Sequence, residues 1–292
     1  MKSAEQNTAF STNKTLNIRG RLIDLSVPQV MGILNVTPDS FYDGKRFTTE
    51  TDILNQVDKM LTEGATFIDV GGYSSRQDAT DISEAEELKR VIGAVRIIVR
   101  KFPQAILSID TFRSEVARQA VAEGAAMIND ISAGELDNNM FATIAGLQVP
   151  YTIMHMRGTP QTMKSLTAYD NILKEITDFL HQKIAVLETL GVRDILVDPG
   201  FGFAKTIEQN FRVLNQLNYL KILGKPVLTG LSRKSMIWKS LGISPADALN
   251  GTTALNMAAL LKGSSILRVH DVKEAKEAIK LYTNITFTSL TA

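Results

Sequence analysis

The chain has 292 residues, 44% hydrophobic and 22% charged, the balance of an ordinary folded globular protein and not of a disordered or fibrous one. Thirty-two Lys and Arg against 31 Asp and Glu leave a formal charge of +1, which gives no field for non-specific binding to nucleic acid or an anionic membrane. With no cysteine, disulfides, thiolate metal sites and cysteine nucleophiles are all excluded.

The segment Met1–Asn13 is polar and lacks the apolar core of a secretory signal. Apolar stretches such as Met257–Leu261 fall far short of the roughly 20 residues that span a bilayer. These features lead us to expect a cytoplasmic protein with small-molecule partners, no nucleic acid and no membrane. Residues 1–14 read as a flexible N-terminal segment, 15–285 as one domain and 286–292 as a C-terminal tail. Thr15–Ser26 reads as a β-hairpin turning at Gly20, placed to plug one end of the fold.

Eight short apolar runs follow: Val30–Leu34, Phe67–Val70, Ile106–Ile109, Met127–Asn129, Tyr151–Met154, Ile195–Asp198, Val227–Gly230 and Ile266–Val269. They do not alternate with polar residues, as expected of parallel strands covered on both faces. The gaps hold helical stripes. Ser83 and Glu86 have capping-box spacing ahead of Leu88, Val91, Ile92, Val95, Ile98 and Val99, and Pro103 ends that stripe. Ile172, Ile176, Phe179, Leu180, Ile184 and Leu187 form another, closed by Gly191. Strand–helix alternation repeated eight times predicts an α/β fold, a single (β/α)8 TIM barrel with a short N-terminal β-hairpin. An open doubly wound sheet is the competing architecture.

Barrel enzymes place their chemistry where the strands end. Here those ends carry Asn35, Asp110, Asn129, Asp198, Lys234, Arg268 and His270. Carboxylates at the edge of an apolar core are costly unless they meet donors. A flat heterocycle with amino and ring N–H groups would supply donors to Asp110, Asn129 and Asp198, with Lys234 on its acceptor side. Arg268, His270, Arg76 and Asn35 suit phosphate oxygens and a hard metal ion. Taken singly, an Asp at a strand end is more often a helix N-cap or a salt-bridge partner, and it is the convergence of nearly every strand at one face that favours a site. His155 reads as a packed core histidine and His181 as a surface residue. Gly200-x-Gly202 and Gly224-Lys225 lack the rest of a nucleotide-binding loop.

Four segments together resemble one family. Met31-Gly32-Ile33-Leu34-Asn35-Val36-Thr37-Pro38-Asp39-Ser40-Phe41, Asp198-Pro199-Gly200-Phe201-Gly202-Phe203, Ser232-Arg233-Lys234-Ser235 and Arg268-Val269-His270-Asp271 are similar to the signatures of dihydropteroate synthases, pterin-binding TIM barrels. The resemblance implies condensation of 6-hydroxymethyl-7,8-dihydropterin diphosphate with p-aminobenzoate, giving 7,8-dihydropteroate and diphosphate in folate synthesis. It implies pterin contacts from Asp110, Asn129, Asp198, Lys234, Arg268 and Met154, and diphosphate contacts from Asn35, Ser75, Arg76, Arg268 and His270. It further implies a p-aminobenzoate site from Ser232, Lys234, Phe203 and Gln77 (the site at which sulfonamide analogues compete), a Mg2+ ion held by Asn35, and a homodimer formed through the later barrel helices. An aromatic amine needs no strong base, so the demanding step is diphosphate departure. That favours an ion-pair-like substitution without a covalent enzyme intermediate.

The chain departs from the family in one loop. Members commonly read Gly-Gly-Glu-Ser-Thr-Arg-Pro-Gly, where this sequence has Gly71-Gly72-Tyr73-Ser74-Ser75-Arg76-Gln77-Asp78. Ser75 keeps a hydroxyl, whereas Gln77 lacks the fixed φ of proline. The readings that compete with an active synthase are a catalytically weakened pterin-binding paralogue, a pterin-dependent methyltransferase-type barrel, and a Schiff-base aldolase using Lys234.

Overall fold

The computed structural model describes residues 14–37, 49–75 and 81–288. A hairpin comes first, β1 (Thr15–Ile18) and β2 (Arg21–Asp24), paired antiparallel across a turn at Arg19 and Gly20. The barrel strands are β3 (Gln29–Asn35), β4 (Phe67–Gly71), β5 (Ile106–Asp110), β6 (Met127–Asp130), β7 (Tyr151–Met154), β8 (Ile195–Asp198), β9 (Leu228–Thr229) and β10 (Ile266–Val269). The helices between and after them are α1 (Glu50–Thr62), α2 (Glu84–Lys101), α3 (Ser114–Ala122), α4 (Met140–Leu147), α5 (Ile172–Thr189), α6 (Ile207–Asn215), α7 (Ser235–Leu241), α8 (Leu249–Leu261) and α9 (Val272–Thr288).

The strands hydrogen-bond in the order β8-β7-β6-β5-β4-β3-β10-β9, all parallel. A parallel bridge from Val197 to Val227 joins the two ends, so the sheet closes as a barrel and not as an open doubly wound sheet. The run expected over Val227–Gly230 therefore shrinks to Leu228–Thr229, with Val227 serving the closure. The last helix continues past 285 to Thr288.

Burial follows from side-chain direction, because alternate strand residues point inward and the others meet the helices. Met31, Phe67, Met127, Leu196, Leu228 and Ile266 form one apolar layer inside the barrel with Leu16, Ile18, Ile23 and Leu25 of the hairpin. The hairpin thus plugs the N-terminal end. Its backbone is held there by the Asn17 N–H donating to Asp194 Oδ1 at 3.1 Å and by Arg19 reaching Ala125 O at 3.2 Å. The outward residues join the α2 stripe of Val91, Val95 and Ile98 and the α5 stripe of Ile176, Leu180 and Leu187 in the main core.

The capping box expected at α2 forms by half. Ser83 Oγ accepts from the Glu86 N–H, but the Glu86 carboxylate turns outward to Arg90 Nε at 2.7 Å. The reciprocal box occurs instead at α6, between Thr206 and Gln209. With the N-terminal end filled by hydrocarbon, polar groups are left to the opposite end.

Candidate active site

Above the apolar layer the interior becomes charged. Asp69, in the middle of β4, is fully buried and accepts Arg268 Nε at 2.6 Å and Asn129 Nδ2 at 3.0 Å on the same oxygen. Arg268 Nη2 donates to Asp110 Oδ2, also at 2.6 Å. Three barrel strands are joined through one guanidinium, and β6 is tied to them through Asp69. β-Sheet register explains the levels, since Asn35, Gly71, Asp110 and Asn129 lie on one row across β3 to β6. Gly71 leaves a gap in that row: a Cβ there would stand 3.3 Å from Asn35 Oδ1 and 3.8 Å from Asp110 Oδ2.

Asp198 ends β8, with Oδ1 accepting the Gly200 N–H at 2.7 Å. Lys234, the N-terminal residue flanking α7, sends Nζ to Phe201 O and places it 5.0 Å from the centre of the Phe203 ring. Asp198 feels both Lys234 and Arg268, and Lys234 feels Asp198, Arg268 and Asp110. The acids and cations expected to converge do so. Burial raises the Asp198 carboxyl above the ordinary carboxylate range, opposed chiefly by Lys234. Burial likewise raises Asp110, with Arg268 pulling it down. The Lys234 ammonium is lowered by burial to about 8. Buried carboxylates of this kind are stabilised by donors that hydrogen-bond to their free oxygens. Three atoms are positioned to take them: Asp110 Oδ1, Asn129 Oδ1 and Asp198 Oδ2 accept no hydrogen bond among the described residues.

One wall of the cleft is apolar. Met154 packs with Ile131, Met156, Met163 and Ala204, and Phe112 and Phe203 lie against them. On the other side Ser232 Oγ and His270 Nδ1 lie 2.9 Å apart, and the His270 N–H donates to Ser232 Oγ at 3.2 Å. Ser232 therefore ties the β9 and β10 loops together instead of capping α7. Between them Arg233 holds Asp271 through a fork, Nε to Oδ2 at 3.0 Å and Nη2 to Oδ1 at 2.9 Å. Asn35 stands at the end of β3 next to Asp110. Ser75 lies at the edge of the described part of its loop, with no hydrogen bond to another described residue. Arg76, Gln77 and Asp78 lie outside the described residues.

His155 is a core histidine, 2% exposed, while His181 is on the surface. Sequence reasoning assigned no role to three features of the cleft. Asp69 organises Arg268. Lys205 is buried beside His155. Tyr73 packs edge-on to Phe112 at 5.0 Å and accepts from Gln161 Nε2 at 2.9 Å, which links the β4 and β7 loops.

Comparison with known proteins gives the same picture. The sequence pattern described as "Pterin binding enzyme" matches residues 31–270. The dihydropteroate synthase of Escherichia coli strain K12 is 42% identical over 266 residues, covering 90% of this chain and 93% of that protein. That of Haemophilus influenzae is 40% identical over 269 residues, covering 91% and 97%. Among solved structures, Yersinia pestis dihydropteroate synthase in a sulfonamide drug complex superposes with TM-score 0.89 at 38% identity, covering 94% of this chain and 99% of that one. The Xanthomonas albilineans enzyme with 4-aminobenzoic acid gives TM-score 0.86 at 39% identity, with the same coverage of both chains.

Proposed function

We infer the function from one premise: this chain belongs to the pterin-binding enzymes, in the dihydropteroate synthase family. It condenses 6-hydroxymethyl-7,8-dihydropterin diphosphate with p-aminobenzoate, as a transferase of folate synthesis. What carries this reading to individual residues is the set of acceptors on Asp110, Asn129 and Asp198 beside the cations of Lys234 and Arg268.

In this reading the pterin ring lies against Met154 and donates its amino and ring N–H groups to the three acceptors. Each donated bond favours the ionised carboxylate and offsets the cost of burying it. Lys234 meets the ring's acceptor side, and Arg268 stacks on the ring. Arg268, His270, Ser75 and Arg76 receive the diphosphate, while p-aminobenzoate occupies the side bounded by Ser232, Lys234, Phe203 and Gln77. The bond from the methylene carbon to the diphosphate oxygen breaks as the amine nitrogen bonds to that carbon. Negative charge growing on the leaving group is met by Arg268 and His270. Positive charge left on the pterin spreads into its ring, opposite Asp110. No covalent intermediate with the protein is required, and trapping one in a rapid quench would refute this course.

A magnesium ion fits this end of the barrel. Asn35 brings an amide oxygen, a hard donor, to the gap left by Gly71. No cluster of three or more His, Cys, Asp or Glu suited to a metal occurs among the described residues. That donor set suits Mg2+ held by one side chain, water and substrate phosphate. When bound, the ion would neutralise charge on the diphosphate.

A homodimer in the cytoplasm completes the reading. Leu241, Leu261, Leu281 and Ile285 of the later helices are each more than half exposed, which supports self-association there. No helix among the described residues is long and apolar enough to cross a membrane.

The test of the function is direct. Protein, Mg2+, pterin diphosphate and p-aminobenzoate together should release diphosphate and form dihydropteroate in equal amounts. Pterin binding without turnover would identify a weakened paralogue instead.

A further inference from the structure

Lys205 takes no part in the chemistry above, yet it is a lysine with 8% exposure in the segment between β8 and α6. Its Nζ donates to Gly200 O at 2.9 Å and to Phe203 O at 3.0 Å, and lies 3.2 Å from His155 Nδ1 and 3.5 Å from His155 O. His155 is driven down to about 2 by burial, then by Lys205 and Arg157, so the ring is neutral and Nδ1 serves as acceptor. Its ring is held edge-on to Phe179 at 5.2 Å. Gly200 makes the arrangement possible. At φ 72° its backbone passes so close to His155 that any Cβ would fall 2.0 Å from His155 O.

Burying an ammonium is costly, and hydrocarbon of the same length would pack the space at less cost. What the cation adds is the shape of one turn. Its two carbonyl partners are the ends of the Gly200–Phe203 turn, which meets the residues assigned to the pterin at three points. The Gly200 N–H fixes Asp198 Oδ1, Phe201 O holds the Lys234 ammonium, and the Phe203 ring lies against the same Nζ.

We propose that Lys205, seated on His155, is a positioning residue for the pterin site, its ammonium holding the Gly200–Phe203 turn in the form that aims Asp198 and Lys234 at the ring. This rests on the pterin-binding reading above and adds to it the residue that sets the site's geometry. The charged groups facing Lys205 are Asp198, Lys234 and Arg157, and Tyr169 adds its hydroxyl on Ala204 O at 2.9 Å. Burial lowers the ammonium to about 7, with Asp198 opposing. The turn therefore loses its cation as pH rises through that value. Arginine in its place would not deprotonate.

The experiment measures calorimetric binding of dihydropterin diphosphate by the full chain and its Lys205→Met and Lys205→Arg variants from pH 6 to 9, with thermal unfolding as the check on folding. Folded Lys205→Met should bind at least tenfold more weakly at pH 6.5. Lys205→Arg should recover affinity to within about threefold and carry it to higher pH than the unmodified protein. Equal binding by Lys205→Met overturns the proposal. So does equal loss in both variants with an unchanged alkaline limb, the signature of packing alone. If Lys205→Met does not fold, His155→Phe keeps a packed ring but removes the acceptor: a threefold or greater loss of affinity supports the proposal and unchanged affinity overturns it. An unmodified protein that binds no pterin diphosphate refutes the function itself. One that binds it while the variants do not differ refutes only the role of Lys205.

Discussion

Arg268 and Asp69 meet at 2.6 Å inside the barrel, the carboxylate fully buried and the guanidinium partly open to the cleft. The same Asp69 oxygen accepts from Asn129, so a single buried acid sets the position of one cation and one amide assigned to the pterin. Asp69→Asn keeps the volume and removes the charge. Breaking a buried pair from one side should cost about 3 kcal/mol in urea unfolding. Pterin affinity should fall with it, since Arg268 is left to Asp110 alone. A loss below about 1 kcal/mol would show the pair to be screened like a surface one.

Tyr73 stands where relatives commonly carry glutamate, and its bond to Gln161 joins the loops that follow β4 and β7. Tyr73→Phe and Gln161→Leu each remove that bond while leaving the Phe112 contact in place. The double variant should cost less than the sum of the singles by about 1 kcal/mol, measured as stability and as KM for p-aminobenzoate. Full additivity would mean that the two loops are not coupled.

His155 gives the fold a pH dependence of defined sign. Its folded value is pushed down to about 2 from an ordinary 6.5, so between those values the unfolded chain binds more protons. Its contribution is complete above 6.5 and is lost as pH falls. At pH 5 the loss amounts to about 2 kcal/mol relative to pH 8. Urea midpoints at the two pH values should reveal it, and His155→Phe should flatten the difference by that amount. An unaltered slope in the variant would exclude His155 as its source.

Removing divalent metal with EDTA should abolish diphosphate release, and added Mg2+ should restore it. Asn35→Ala should raise the Mg2+ concentration needed by tenfold or more without lowering thermal stability by more than about 1 kcal/mol. Unchanged turnover in EDTA would remove the metal from the reaction.

The barrel was legible because its strands are continuous apolar runs separated by helical stripes, and the hairpin because Gly20 breaks a β-branched pattern. Asp110, Asn129 and Asp198 were legible because each sits where an apolar run stops. Asp69 was less so. It lies within a run, and the clue was its inward parity with Phe67, which places a charge in a barrel interior. Lys205 looks like any loop lysine until Gly200 lets its turn close on His155, a contact 50 residues away in the chain. The Tyr73–Gln161 bond spans 88 residues and leaves no local pattern at all. The polar groups that sequence reasoning missed work through pairings that only the closed barrel creates.

Asp198→Asn tests the acid-and-cation cavity most directly, because it changes an acceptor to a donor without changing size. Calorimetric binding of dihydropterin diphosphate should show one site per chain in the unmodified protein and at least a tenfold loss in the variant, about 1.4 kcal/mol or more. Equal affinity in the two proteins would place the pterin somewhere other than between Asp110, Asp198, Lys234 and Arg268.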